Sequence, residues 1–435
     1  MKILNQLILG CTIVSASFAL TIESALAAQK TFNVKTFGAK GNGTTDDQTA
    51  IQAALNAASA VPGSEVFFPV GNYLHSGNLT GTAIELVGEG AKNSKLTATT
   101  TDGQVTLTGF ASTVKNMAFS TNVPNPSAAV YFNQAKGASA FNLQINDGFA
   151  TGVRYDRCST GTARNCTITT SVPQVNSLTH ASSIDISNSI LFIVRDNHLS
   201  LGAGQANETT GITSRKNGQI TVRENDITGM HVGISSREDS KFICVFNLVT
   251  NGLHVGIRAA KDTDLQLATN RVVFNSLDKG TDGIVSHENT KPLIRNNEIS
   301  KAGVGIRSTD ETNARILTNQ ISLGTTGVKA TGDTSPTITD NRITNVNAKA
   351  IDVSTSTSVV SIERNPISNA GLTDLKTQDV ILADCPSATS ITLDDNDYHG
   401  NTKNLSFFIR CLQSPPVATA SGNVTNTGLK TKLGP

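Results

Sequence analysis

Over most of its length the chain repeats one phrase of polar and apolar positions. Gln219-Ile220-Thr221-Val222-Arg223 alternates polar with apolar residues, Asn225 and Ile227 follow, and Gly233-Ile234 closes the phrase. The next copy runs from Phe242 to Asn247 and ends on Gly256-Ile257. Later copies pair Asn270 with Gly283-Ile284, Asn297 with Gly305-Ile306, Asn319 with Gly327-Val328, and Asn341 with Ala350-Ile351. Asn116, Asn142, Asn165, Asn197 and Asn365 extend the series in both directions, mostly in steps of 22 to 28 residues. Alternation with period two marks strands, and short Val/Ile/Thr-rich runs at this spacing predict stacked β coils. No amphipathic helical stretch separates the strands, which excludes alternating β/α units, and the Leu-x-x-Leu-x-Leu frame of leucine-rich repeats is missing. Each Asn is expected at a turn between two strands, where it tolerates left-handed φ and bonds through its amide to the coils above and below.

The ends of the chain break the pattern. Thr45-Asp46-Asp47-Gln48 reads as a helix start with a capping box from Thr45 to Gln48. Ile51, Ala54, Leu55 and Ala58 then share one helical face, and Pro62-Gly63 ends the helix, which is expected to plug the first coil. Residues 413–435 are polar and read as a C-terminal tail. At the other end, Lys2, the apolar run from Leu7 to Leu20 and Ala25-Leu26-Ala27 read as a secretory signal peptide over residues 1–27, cleaved after Ala27 or Ala28. That run is too short to span a bilayer well. Residues 28–412 are left as one solenoid domain, secreted, periplasmic or at the cell surface, with no membrane insertion.

Composition narrows the function. The chain has 435 residues, 16% of them charged, and a formal net charge of +1, which argues against nucleic acid as a partner. There is no Trp and there are 4 Tyr, so aromatic platforms for sugars are scarce. Of the 6 cysteines, Cys11 falls in the leader. Export permits disulfides, and Cys158–Cys166 and Cys385–Cys411 are the expected pairs. Cys244 is expected to be a buried free thiol. No Cys/His spacing suggests a zinc site.

The start of the mature chain, from Phe32-Asn33-Val34 through Phe37-Gly38-Ala39-Lys40-Gly41 to Thr45-Asp46-Asp47, resembles the pectin-lyase-like (pectate lyase) superfamily. Val66-Phe67-Phe68-Pro69-Val70-Gly71-Asn72-Tyr73 fits the same pattern, with Val70 where the family more often has Pro. The resemblance implies an all-β fold, a single-stranded right-handed parallel β-helix with an N-terminal capping helix. It implies no single reaction, because the superfamily holds hydrolases, lyases, epimerases, tailspike depolymerases and non-catalytic surface proteins. The polygalacturonase set (Asn-Thr-Asp, Asp-Asp and Gly-His-Gly on successive coils) is absent, and so is the Asp-Pro-His motif of alginate epimerases. No clustered Asp ladder of the calcium-binding kind is seen, so no metal site or cofactor is assigned.

Candidate chemistry lies on the strand after each Gly-Ile. With the Ile inward, the next and third-next residues point outward. The outward pairs are Arg154/Asp156, Thr213/Arg215, Ser235/Arg237, Arg258/Ala260, Val285/His287, Arg307/Thr309 and Lys329/Thr331. Arg215, Arg237, Arg258, His287, Arg307 and Lys329 would then form a basic stripe suited to an extended acidic polysaccharide; the competing reading is a charged face that keeps the sheet soluble. His231 and His254 precede the glycines of adjacent coils, and Asp282 directly precedes Gly283. Cleaving or epimerising a uronate needs a cation to neutralise its carboxylate and a base to remove the neighbouring proton. Arg237 and Arg258 as neutralisers with His231 or His254 as base satisfy that need. Arg215, His287, Arg307, Lys329 and Asp282 would contact the rest of the polymer. The leading expectation is a polysaccharide lyase or C5-epimerase. The alternatives are a glycoside hydrolase of the same polymer, and a non-catalytic glycan-binding surface protein or adhesin. An oligomer is compatible with all three.

Overall fold

The computed structural model describes residues 29–146, 148–170, 181–202, 209–311, 313–333, 335–354, 359–370, 379–384, 390–399, 406–410, 417–421, 424–425 and 431–434. The leader, Cys385 and Cys411 lie outside them.

The protein is an all-β right-handed parallel β-helix. Each coil contributes three strands. One, such as Gln219–Arg223 or Lys241–Val245, joins a first sheet of 16 parallel strands. A short second strand, such as Asp226–Thr228, pairs with Leu248–Thr250 one coil on, and a third, such as Val232–Arg237, pairs with Val255–Ala260. Inward positions stack like on like. On the third face Ile212, Ile234, Ile257, Ile284, Ile306, Val328 and Ile351 are in register, and all are fully buried. A glycine precedes each of them except Ile351, which follows Ala350, and these glycines sit where the coils approach closely. A Cβ on Gly256 would lie 2.5 Å from the Gly283 carbonyl and 2.4 Å from Val272.

A column of buried asparagines runs up one corner: Asn197, Asn225, Asn247, Asn270, Asn297, Asn319, Asn341, Asn365 and Asn396. In each step the backbone N–H and side-chain amide of one Asn both donate to Oδ1 of the next. For Asn225 to Asn247 the two distances are 3.1 and 2.9 Å. Two expectations need correction here. Left-handed φ falls not on these residues but on the residue before each, for example Glu224 (φ 57) and Asp340 (φ 57). Asn116, Asn142 and Asn165 occupy that left-handed position instead (φ 58, 50 and 53). The ladder position in those coils holds buried Met117, Leu143 and Cys166.

The expected Cys158–Cys166 disulfide does not form; both are buried free thiols, as is Cys244. Each sits at a different corner of its coil. The backbone N–H of Cys158 donates to Ser189 Oγ, while that of Cys166 donates to Asn197 at the start of the asparagine ladder.

The one α-helix among the described residues, Gln48–Ser59, buries Ile51, Ala54, Leu55 and Ala58 against the first coil. Its expected capping box is replaced. The carboxylate of Asp47 accepts from the N–H groups of Lys40 and Gly41 at 2.7 and 2.9 Å, and Asp46 accepts from Gln48 N–H at 3.0 Å. The Gln48 side chain bonds the carbonyl of Asn78 at 2.9 Å. At the far end the ladders continue past residue 412. Val417–Ser421 pairs with Ser390–Asp394, and Thr431–Gly434 pairs with Ser406–Arg410, so the segment read as a tail carries coil strands. No helix among the described residues is long and apolar enough to cross a membrane.

Candidate functional site

Strand register fixes the outward columns of the third face. The first runs Arg154, Asp185, Thr213, Ser235, Arg258, Val285, Arg307, Lys329, Asp352. The second runs Asp156, Ser187, Arg215, Arg237, Ala260, His287, Thr309, Thr331. Coils are about 4.8 Å apart, so from Arg215 to Lys329 each coil presents one basic or imidazole side chain.

A cleft of about 710 Å³ opens on this face. Arg154, Asp185, Arg215, Arg237, Arg258, Lys261, His287 and Glu288 supply its charged lining, with Ser182, Thr210, Thr213 and Ser235 between them. Most of the cations already have partners. Asp185, 5% exposed, accepts two bonds from Arg215 Nη2 at 3.0 and 3.1 Å and lies 3.5 Å from Arg154. Arg237 meets Glu238 at 3.1 Å, and His287 Nε2 meets Glu288 at 2.7 Å. The Lys261 ammonium on Glu288, with His287 beside it, holds the Glu288 carboxyl below its usual range. Beyond the cleft Arg307 forms a two-pronged contact with Asp282 at 3.1 and 2.8 Å. Arg258 and Lys329 stand half-buried with no carboxylate partner among the described residues.

The expected site residues therefore divide. Arg215, Arg237, Arg258 and His287 share the cleft. Arg307, Asp282 and Lys329 continue the stripe on later coils. His231 and His254 stack face to face, ring centroids 5.0 Å apart and 20° from parallel. They precede the strands and are not among the residues lining the cleft.

Behind the cleft lies a feature that the repeat phrase does not announce. Asn217, Asp239, Asp262, Asn289, Glu311 and Asp333 are all buried and form a second ladder. Oδ1 of Asp239 accepts from Asn217 N–H at 2.8 Å, and Oδ1 of Asp262 from Asp239 N–H at 2.9 Å. The series continues through Asn289, Glu311 and Asp333 at 2.6, 2.8 and 3.0 Å. Inward serines of the cleft strands tie into it. Ser236 Oγ lies 3.0 Å from Asp239 and 2.8 Å from Asp262, and Ser214 and Ser308 donate to Asp239 and Asp333. Loss of water raises every carboxyl in this ladder: Asp239 is shifted up, Asp262 to about 7, Glu311 to about 8 and Asp333 to about 6. Glu238, Glu288 and Asp310 occupy the left-handed position just before it and face solvent or its edge. The signal missed was the partnership of a strand Ser with an acid or amide three residues on. Among the described residues no group of three or more His, Cys, Asp or Glu is placed to hold a metal.

Comparison with known proteins agrees with the fold. Over 46 residues the chain is 56% identical to mannuronan C5-epimerase AlgE3 and to alginate lyase 7, both of Azotobacter vinelandii. That stretch is 11% of this chain but 2% and 5% of those proteins. Among solved structures, a mutant tailspike protein of E. coli bacteriophage HK620 aligns with a TM-score of 0.62 at 13% identity, over 92% of this chain and 80% of that one. PfbA, a surface adhesin of Streptococcus pneumoniae, aligns with a TM-score of 0.57 at 13% identity, over 73% and 92%. A right-handed β-helix region model matches residues 270–411. The model of the rhamnogalacturonase A/epimerase, pectate lyase-like family matches residues 31–258, just over half of the chain, and the protein belongs to that family.

Proposed function

We propose that the third-face cleft binds an acidic polysaccharide and that the protein, exported by its leader, acts on the polymer's uronate residues as a lyase or C5-epimerase. The observation that carries this reading is Arg258, a guanidinium with no carboxylate partner, in a cleft between Arg237 and His287. A planar fork of this kind matches a sugar carboxylate. Binding there neutralises the carboxylate and makes the adjacent C5 proton acidic.

In this reading His287 is the base, since it is the imidazole in the cleft lining. With Glu288 accepting from Nε2–H, the neutral ring keeps a lone pair on Nδ1 for the proton. Return of a proton to the opposite face of C5 inverts the centre. Departure of the C4 oxygen with its electron pair and a proton instead leaves a C4–C5 double bond. His231 and His254 then wall the corner beside the cleft. The short matched stretch shared with a C5-epimerase and an alginate lyase supports the same reaction class. Hydrolysis is less well served. Asp185 and Asp282, the carboxylates clamped by arginine on this face, are four coils or about 19 Å apart, against the roughly 5–9.5 Å that paired glycosidase carboxylates need.

A second reading, a non-catalytic glycan binder, is favoured by one observation: most of the cations lining the cleft are already paired with carboxylates. The test is incubation of purified protein with a panel of acidic polysaccharides, following unsaturated-uronate absorbance, reducing ends and proton NMR. Product from the wild type, its loss in Arg237→Ala/Arg258→Ala, and binding without turnover in His287→Ala are expected. Binding with no product on any polymer selects the second reading. An unchanged double arginine variant overturns both.

A further inference from the structure

We propose that the first sheet carries a second, separate groove for an acidic oligosaccharide, centred on Arg295 and Arg315. The choice of ligand class rests on the third-face reading; the groove itself does not. Arg295 and Arg315 project from adjacent coils at neighbouring outward positions, since Arg295 is in register with Leu317 and Arg315 with Leu293. Both are exposed. They line a groove of about 550 Å³ together with Thr337, Thr339, Ser361 and Arg364. Register places Thr337 beside Arg315 and Ser361 beside Thr337. The groove so crosses four coils, about 14 Å between the outer two.

The local pattern of charge singles this pair out. In the outward column that holds Arg295, Arg195 and Arg223 are each followed by an acid in the left-handed position that neutralises them, while Arg164, followed by Asn165, lies over the Phe141 ring. Arg195 meets Asp196 at 2.8 Å, and Arg223 meets Glu224 at 2.8 Å. After Arg295 that position is Asn296, and one coil later it is Thr318. No acid takes that position until Asp340 on the following coil, and neither Arg295 nor Arg315 has a carboxylate partner among the described residues. At the groove's far end Arg364 is held by Asp340 at 3.0 and 3.1 Å. The result is a pair of open guanidinium forks followed by a run of hydroxyls and then fixed carboxylates. Forks bind sugar carboxylate or sulfate, hydroxyls pair with sugar hydroxyls, and the carboxylates accept from them. Two such sites on one solenoid would let a long polymer engage at both, raising its effective affinity without any new contact in the cleft.

Calorimetric titration of four proteins tests this: wild type, Arg295→Ala/Arg315→Ala, Arg237→Ala/Arg258→Ala, and the quadruple variant. The probes are oligogalacturonate, dextran sulfate and neutral dextran at one low ionic strength. The wild type is expected to bind polyanion at two classes of site and neutral dextran at neither. The Arg295/Arg315 pair should lose one class, or at least tenfold in its affinity, with unchanged melting because both side chains point into solvent. The quadruple variant should lose both classes. Preference between the two polyanions tells carboxylate from sulfate. Isotherms of the Arg295/Arg315 variant that superimpose on wild type with both polyanions, or equal binding of neutral dextran, overturn the proposal. An unaffected Arg237/Arg258 variant beside an impaired Arg295/Arg315 variant removes the third-face reading and leaves this one standing.

Discussion

Asp262→Asn should stabilise the protein at alkaline pH and leave it nearly unchanged at acid pH. In the fold Asp262 is 1% exposed, and desolvation pushes its carboxyl from an ordinary 3.8 to about 7. An acid whose pKa is raised by folding binds more protons folded than unfolded between those two values. Stability therefore falls as pH rises from about 4 to about 7, and stays low above that. A shift of roughly three units corresponds to about 4 kcal/mol at 1.36 kcal/mol per unit. Asparagine fits the site because Asn217 and Asn289 already occupy the same ladder position. Oδ1 still accepts from Asp239 N–H, and the amide can donate to Ser236 Oγ as that of Asn289 does to Ser286 at 2.9 Å. The assay is unfolding of wild type and variant at pH 4.5 and pH 8 in matched salt. Taking the difference between the two proteins cancels the titrating groups that do not touch Asp262, leaving Asp262 and its ladder neighbour Asp239. The expected result is a variant more stable by several kcal/mol at pH 8 only. Parallel pH dependence of the two proteins would refute the claim that this carboxyl is forced to hold its proton.

Other outcomes follow from the same packing. Ile257→Asp places an unpaired carboxylate in the column between Ile234 and Ile284 and should abolish folded secretion; normal yield and melting would mean that the side chain points outward. Asn247→Ala removes the acceptor of two donors on Asn225 and should cost about 1–3 kcal/mol for each donor left unsatisfied, read as a lowered melting point, whereas the same change at exposed Asn142 should cost far less. Alkylation after non-reducing denaturation, read by peptide mass, should find Cys158, Cys166 and Cys244 all as thiols; a Cys158–Cys166 linked peptide would contradict the separate corners assigned to them.

The strand frame was legible because one-in, one-out alternation leaves a direct trace in sequence. The outward pairs from Thr213/Arg215 to Lys329/Thr331 therefore fall where the alternation puts them. Corners were harder, because there the periodicity lapses and residue preference takes over. Asn at 116, 142 and 165 and Asn at 197 onward look like one series, yet they occupy neighbouring positions with different tasks. The first group adopts left-handed φ and the second supplies an amide to the stack. Asp239, Asp262 and Glu311 were not legible as buried, because nothing local in the sequence distinguishes a buried carboxyl from an exposed one. The distinction is made by the preceding coil, which for Asp239 and Asp262 presents a backbone N–H to one oxygen and a serine hydroxyl to the other. The disulfide expectation failed for the same reason. Cys158 and Cys166 are close in sequence, but the first-sheet strand Thr160–Arg164 carries the chain from one corner to the other between them.

The second ladder and the cleft are parts of one arrangement. Along Val232–Arg237, Ser235 and Arg237 face the cleft while Ser236, between them, faces the carboxyls of Asp239 and Asp262. The backbone that aims Arg237 is thus fixed from behind by a polar contact rather than by apolar packing alone. Arg215 repeats the scheme, with Ser214 donating to Asp239 from the coil before. Protonated, the ladder carries no charge behind the cleft. Ionised, it would set buried negative charge behind the guanidinium forks and compete with a bound carboxylate for their field. A raised carboxyl pKa at these positions therefore serves two ends at once. It lowers the charge buried in the stack, and it limits the negative charge behind Arg215, Arg237 and Arg258, the face proposed above for an acidic polymer.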